Sequence, residues 1–123
     1  MAIIPTIRCR DMRRSIHFYT HVLDFTRADD READDDFGFA VLARAGDRIF
    51  LSTGAGDGEF GQAIVVMTED VDALWEKFLG RGHVPPRSEG PVHLGPTDQT
   101  WGTREFYVDD PDGNTLRFTQ SRA

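Results

Sequence analysis

The sequence predicts an α+β fold of two tandem βαβββ units, and three observations carry that expectation. Apolar residues pass from strand alternation to helical spacing in the same order twice, over residues 3–23 and again over residues 63–79. Superposing Asp11 on Asp70 brings Ile7 onto Val66, Met12 onto Val71, Ile16 onto Trp75 and Tyr19 onto Phe78, so caps and core positions repeat at a constant offset. The chain then closes on residues 101–118, where Asp110-Pro111-Asp112-Gly113, with Pro second and Gly fourth, reverses it between two alternating segments.

Residues 3–9 alternate, with Ile3, Ile7 and Cys9 on one face and Ile4, Thr6 and Arg8 on the other. Pro5 marks this strand as an edge or a bent one. Asp11 is a suitable N-cap for a helix bearing Met12, Ile16, Tyr19, Val22 and Leu23, ending near Asp24. Residues 25–27, 37–43 and 48–52 read as strands, separated by an acidic stretch and by a turn at Ala45-Gly46-Asp47. Residues 53–61 hold four glycines and two acids and form a connection. A strand at 63–67 follows, then a helix capped by Asp70, carrying Val71, Leu74, Trp75, Phe78 and Leu79 and closed by Gly80 and Gly82. Residues 85–96, rich in Pro and Gly, are expected to hold a short strand and a loop. The closing hairpin completes a single domain, with a first unit over 1–53, a linker over 54–61 and a second unit over 62–123.

Composition narrows the function. Hydrophobic residues make up 39% of the 123, with nine Phe and two Trp, enough for a folded core. No apolar run approaches the roughly 20 residues that span a bilayer. Net charge is −7, with 21 acids against 14 bases, which repels phosphate backbones and anionic lipid. The expected partner is therefore a cationic small molecule, with no nucleic acid and no membrane. One cysteine, Cys9, forms no internal disulfide, in keeping with a cytoplasmic location.

The run Trp101-Gly102-Thr103-Arg104-Glu105-Phe106, followed by Asp110-Pro111-Asp112-Gly113-Asn114, resembles the closing hairpin of the vicinal oxygen chelate superfamily. Within that superfamily it is most similar to the bleomycin-resistance branch. The opening Ile4-Pro5-Thr6-Ile7-Arg8-Cys9-Arg10-Asp11, then His17-Phe18-Tyr19 and Leu23-Asp24-Phe25, is similar to the family's first unit. The resemblance covers nearly the whole chain and implies a glyoxalase-like fold, in which two half-barrel sheets enclose a cavity, often across a homodimer interface. It does not specify the ligand, because one fold hosts many chemistries.

Metal-binding members use His or Glu on the first strand of each unit and Glu on the last. Carried onto this chain, those positions fall on Ile4, on Gly61 next to Gln62, on Arg117 and on Phe50 or Leu51. None offers a ligating side chain, and a guanidinium repels a cation, so no family-type metal and no cofactor is expected. His17 and His21 have a metal-capable spacing but lack a third ligand in frame, and they read as surface residues. His83 and His93 flank the proline-rich loop as exposed turn residues. Cys9 falls on the helix-packing face as a buried, inert thiol. Gly56, Gly58 and Gly61 match a dinucleotide fingerprint by spacing but run into a strand instead of a helix, which excludes that reading.

Two aromatics decide the functional expectation. Phe37 directly follows the acidic run of Asp29, Asp30, Glu32, Asp34, Asp35 and Asp36, and Trp101 begins the last hairpin. The run lacks the glycine and terminal glutamate of an EF-hand; it is a solvated loop or a negative lip for a cationic ligand. In bleomycin-resistance proteins, aromatics at similar places sandwich the drug's flat bithiazole, whose adjoining tail is cationic; ordinary packing is the other reading of Phe37 and Trp101. Some members place Trp-Gly directly before Arg-Glu-Phe, whereas here Thr103 intervenes. The expected function is metal-independent sequestration of a flat, cationic, bleomycin-type molecule by a homodimer, with no catalytic residue. Phe37 and Trp101 would stack, Asp35 and Asp36 would attract charge, and Thr6, Arg8, Arg104, Glu105 and Arg117 would line the cavity. The alternative is an enzyme of the same fold, a glyoxalase-like lyase, isomerase, thiol transferase or dioxygenase, with a metal held elsewhere or with Glu105 or a histidine as acid–base group. A structural or interaction module with an empty or filled-in cavity is the third.

Overall fold

The computed structural model describes residues 1–29, 38–87 and 90–122. They fall into two compact units, Met1–Gln62 with Asp110–Asn114, and Ala63–Asp109 with Thr115–Ala123. Each carries one mixed four-stranded sheet.

The first unit runs β1 (Thr6–Arg8), α1 (Met12–His17) continued by a π-helical turn (Phe18–Val22), β2 (Thr26–Arg27), β3 (Phe39–Arg44) and β4 (Asp47–Ser52). Its sheet has the order β1-β4-β3-β2, with β1 parallel to β4 and the other pairs antiparallel. Asp11 caps α1 as expected, accepting from the Arg14 amide at 3.1 Å. The helix stops at Val22 instead of near Asp24. Its last turn widens so that the Leu23 amide donates to Phe18 five residues back, and Leu23 is already extended. Strand β1 is shorter than the 3–9 run, since Pro5 supplies only its carbonyl, to the Phe50 amide. Ala45 and Gly46 both take positive φ, 51° and 88°, between the paired residues Arg44 and Asp47, which gives the two-residue turn that matches strand twist. Ile7, Cys9, Met12, Ile16, Tyr19, Leu23, Ala40, Leu42 and Leu51 form the core.

The second unit runs β5 (Ala63–Met67), α2 (Val71–Gly80), α3 (Pro91–Leu94), β6 (Thr97–Asp98), β7 (Thr103–Asp109) and β8 (Thr115–Ser121). The order β5-β8-β7-β6, with β5 parallel to β8, repeats the first sheet. Asp70 caps α2 through the Ala73 amide at 3.0 Å, and Val71, Leu74, Trp75 and Phe78 are buried as the helical stripe requires. Phe106 and Phe118 face each other in register and stack at 5.0 Å, with Phe78 edge-on to Phe118 at 5.1 Å. The 85–96 excursion differs from expectation. Pro91 stands in the first turn of a short helix after Gly90, and the strand follows only at Thr97.

The Asp110-Pro111-Asp112-Gly113-Asn114 turn belongs with the first unit and does more than reverse the chain. The buried Asp110 carboxylate accepts from the Tyr19 hydroxyl at 2.7 Å, the Asp112 and Asn114 amides at 2.9 and 3.0 Å, and the Asn114 side chain. Asn114 in turn accepts from the Gly61 and Gln62 amides and donates to the Arg8 carbonyl. Asp112 takes Arg10, Arg14 and the Ser15 hydroxyl. Burial, with Asp110 beside it, pushes the Tyr19 phenol well above its ordinary value, so it stays a donor. Asn114→Ala removes four partners at once, the Asp110 carboxylate, the Gly61 and Gln62 amides and the Arg8 carbonyl, and should cost about 2–4 kcal/mol in urea unfolding with little change in m. A loss below about 0.5 kcal/mol would show that this side chain does not hold the first unit.

Candidate functional site

Alternation along β5, β7 and β8 gives the second sheet one face against α2 and one open face. The open face carries Glu105, Tyr107 and Asp109 on β7. Opposite them in register stand Thr119, Arg117 and Thr115 on β8, and beyond those Met67, Val65 and Ala63 on β5. Val65 and Met67 are 52% and 61% exposed, so this face offers apolar surface as well as charge.

Glu105 is the centre of this face and is fully buried. One carboxylate oxygen accepts from the Trp101 indole at 3.1 Å and the Thr103 hydroxyl at 2.7 Å. The other accepts from the Arg117 guanidinium at 2.9 Å and the Thr119 hydroxyl at 3.1 Å. Burial acts to raise the Glu105 carboxyl, but the hydrogen bonds from Thr103, Arg117 and Thr119, with the Arg117 charge, outweigh it and hold the pKa below its ordinary value. The Arg117 guanidinium, held above its usual value by Glu105, lies 5.1 Å from the Tyr107 ring centre. His93 meets that ring edge-on at 5.6 Å and reaches Asp109 at 3.1 Å.

Three residues named from sequence therefore come together: Trp101, Glu105 and Arg117. Trp101 is 62% exposed with its indole N–H tied to Glu105, so the ring faces solvent while its polar edge is satisfied. The intervening Thr103 is part of the arrangement, because its hydroxyl shares the oxygen that takes the indole. Arg104 does not join them. It alternates to the other face of β7 and forks onto Asp72 at 2.8 Å and Asp98 at 3.1 Å. Thr6 and Arg8 lie in the first unit, on the open face of its sheet. Phe37, Asp35 and Asp36 lie outside the described residues. Tyr107 and Thr119 carry no motif signal in the sequence; the alternation that selects Glu105 also selects Tyr107, whereas Thr119 needs the strand register. His93 departs from the exposed turn residue expected: it lies on α3 with its side chain largely buried against Tyr107 and Asp109.

Two of the positions where metal-binding members carry ligands have other roles here. The Gly61 amide donates to Asn114, and Arg117 pairs with Glu105. Among the described residues no three or more His, Cys, Asp or Glu side chains are grouped to hold a metal ion. His17 and His21 are exposed and stack at 4.3 Å. His83 departs from expectation: it is half-buried edge-on to Trp75 at 5.4 Å, and burial, then His93, lowers its pKa. Burial pushes the Cys9 thiol up to about 11, which leaves it unreactive near neutral pH.

Because the folded Glu105 pKa lies below the ordinary 4.5, its stabilising contribution is complete above that value and is lost as pH falls through the folded one. Glu105→Gln should lower the urea midpoint at neutral pH, and the deficit should shrink once the pH drops below 4.5. A deficit equally large in acid would remove the carboxylate's charge from the explanation.

A protein-family model described as Glyoxalase/Bleomycin resistance protein/Dioxygenase superfamily matches residues 4–118. Bleomycin resistance proteins from Geobacillus stearothermophilus and Staphylococcus aureus are 30% identical over 135 aligned positions, covering 95% of this chain and 94% of theirs. Among solved structures, a bleomycin resistance determinant encoded on transposon Tn5 aligns with a TM-score of 0.77 at 21% identity, over 100% of this chain and 99% of that one. A bleomycin-binding protein complexed with bleomycin aligns with a TM-score of 0.76 at 22% identity, over 98% of each chain. Sequence match and fold agree over the full length, and the chain belongs to the glyoxalase/bleomycin resistance protein/dioxygenase superfamily.

Proposed function

We propose that the chain is a metal-independent binding protein that sequesters a flat, cationic small molecule of the bleomycin type, without chemistry. The observation that carries this reading is Trp101: an exposed indole whose only polar atom is already bound to a buried carboxylate. Such a ring is a ready stacking surface, and holding it in place beforehand reduces the entropy lost on binding. Tyr107, under Arg117, and the exposed Val65 and Met67 extend the same open face. The net charge of −7 favours a cationic guest. Relatives that share 30% identity over nearly the full length carry the name bleomycin resistance protein, which is why this ligand class is the first to test.

In this reading Phe37 is the second stacking ring, and Asp35 and Asp36 draw in the cationic tail. Arg117 and Glu105 hold the Trp101 platform, and Thr6 lines the first sheet, where the positive charge of Arg8 does not suit a cationic guest. Glu105, held ionised below its ordinary range and already hydrogen-bonded through both oxygens, is poorly suited to be a general base near neutral pH, which weighs toward binding over turnover. The chain would act as a cytoplasmic homodimer, which light scattering can check directly.

Titration with metal-free bleomycin, followed by tryptophan fluorescence and calorimetric heat, should show micromolar or tighter binding near one drug per chain. Trp101→Ala should weaken that binding by about 1–3 kcal/mol and leave the thermal midpoint unchanged. No heat and no fluorescence change would reject the ligand; a co-purifying divalent metal with turnover lost on chelation would favour an enzyme instead.

A further inference from the structure

Arg8 is the unusual arginine of the first unit. It projects from β1 with Thr6, opposite in direction to the buried Ile7 and Cys9. In register it faces Ser52, which faces Phe39; the neighbouring row is Thr6, Phe50 and Val41. Arg8 therefore shares the open face of this sheet with the edge-on Phe39–Phe50 pair, whose centres are 4.9 Å apart.

Among the described residues its charge has no counter-ion. The half-buried Arg44, Arg104 and Arg117 all have a carboxylate within 4 Å, whereas Arg8 makes no ion pair or side-chain hydrogen bond among the described residues. Its Nε is buried without a partner, and the Phe60 ring lies 4.6 Å from its guanidinium carbon. Arg10 stands 3.8 Å from the same ring and brings a second positive charge, itself held by Asp112. Asp57, whose carboxylate takes the Ser52 hydroxyl opposite Arg8 at 2.8 Å, forms no ion pair with it. A guanidinium stripped of part of its water, and left unpaired by the described residues, gains strongly from an incoming oxyanion. Its planar fork suits a carboxylate, and the adjacent rings suit a flat body.

We propose that the open face of the first sheet binds a small aromatic carboxylate, with the acid on Arg8 and the ring against Phe39 and Phe50. This ligand class is opposite in charge to the cationic guest above, and the site stands whether or not that guest binds.

The test is calorimetric titration of the full chain at low salt with 2-naphthoate, the neutral 2-naphthalenemethanol and inorganic phosphate. Naphthoate should bind at least about tenfold more tightly than the alcohol, since a charge-assisted pair supplies the difference. Arg8→Gln should abolish that preference, and Arg8→Lys should retain part of it. The Nε–H resonance of Arg8 in the wild-type chain should shift on adding naphthoate, a readout that needs no variant to fold. Equal affinity for acid and alcohol, an unmoved Arg8 resonance, or a preference that survives Arg8→Gln would overturn the anchor. Phosphate binding as tightly as naphthoate would overturn the aromatic half of the proposal. A failed bleomycin titration leaves all these outcomes readable, so the two readings fall separately.

Discussion

A buried carboxylate at the end of the last hairpin is what the first unit closes on. Asp110 contributes only its two oxygens, yet it gathers a phenol from the π-helical turn and two amides from its own turn, and it orients Asn114. Asn114 then serves the backbone at residues 8, 61 and 62. Each of those groups would otherwise have to remain solvated or be buried unpaired, and a buried unpaired group is costly. The Asp-Pro-Asp-Gly-Asn sequence is therefore a polar core in its own right, complementary to the apolar one behind it.

The second unit uses a buried carboxylate differently. Glu105 lies on the face that α2 does not cover, and its hydrogen bonds order the side chains around it, Trp101, Thr103, Arg117 and Thr119. A guest on this face would meet an indole and a phenol ring more readily than a bare charge. The electrostatic pull of the chain is then a property of its net charge, while local shape and stacking come from a neutralised patch.

Sequence pattern is most informative where one periodicity acts alone. Strand β5 occupies the residues that alternation assigns, and both helices start at the aspartates named as caps, because capping is a local hydrogen bond that the chain can specify within three residues. The 85–96 segment is less legible, since Pro91 suits the first turn of a helix as well as a loop. In the site, Trp101 and Glu105 are visible from the motif, but their bond depends on the turn that Gly102 makes with a φ of 93°. Arg104 shows the opposite failure. Its place beside Glu105 in sequence suggests a shared role, whereas a strand sends neighbours to opposite faces, and Asp72 on α2 claims it. That the buried Arg8 Nε has no partner among the described residues carries no sequence signal, because it is defined by what the surrounding side chains do not do.

The residues that make this chain recognisable thus divide: Trp101 and Arg8 would meet a guest, whereas the closing turn would not. The side chains of Asp110, Asp112 and Asn114 are committed to internal hydrogen bonds, whereas Val65 and Met67 join the sheet through their backbones alone and show their side chains to solvent. Substitution at those two positions can reshape the open face at little cost to folding. A scaffold divided in this way can drift toward new ligands one side chain at a time, and its closing turn would record descent without recording appetite.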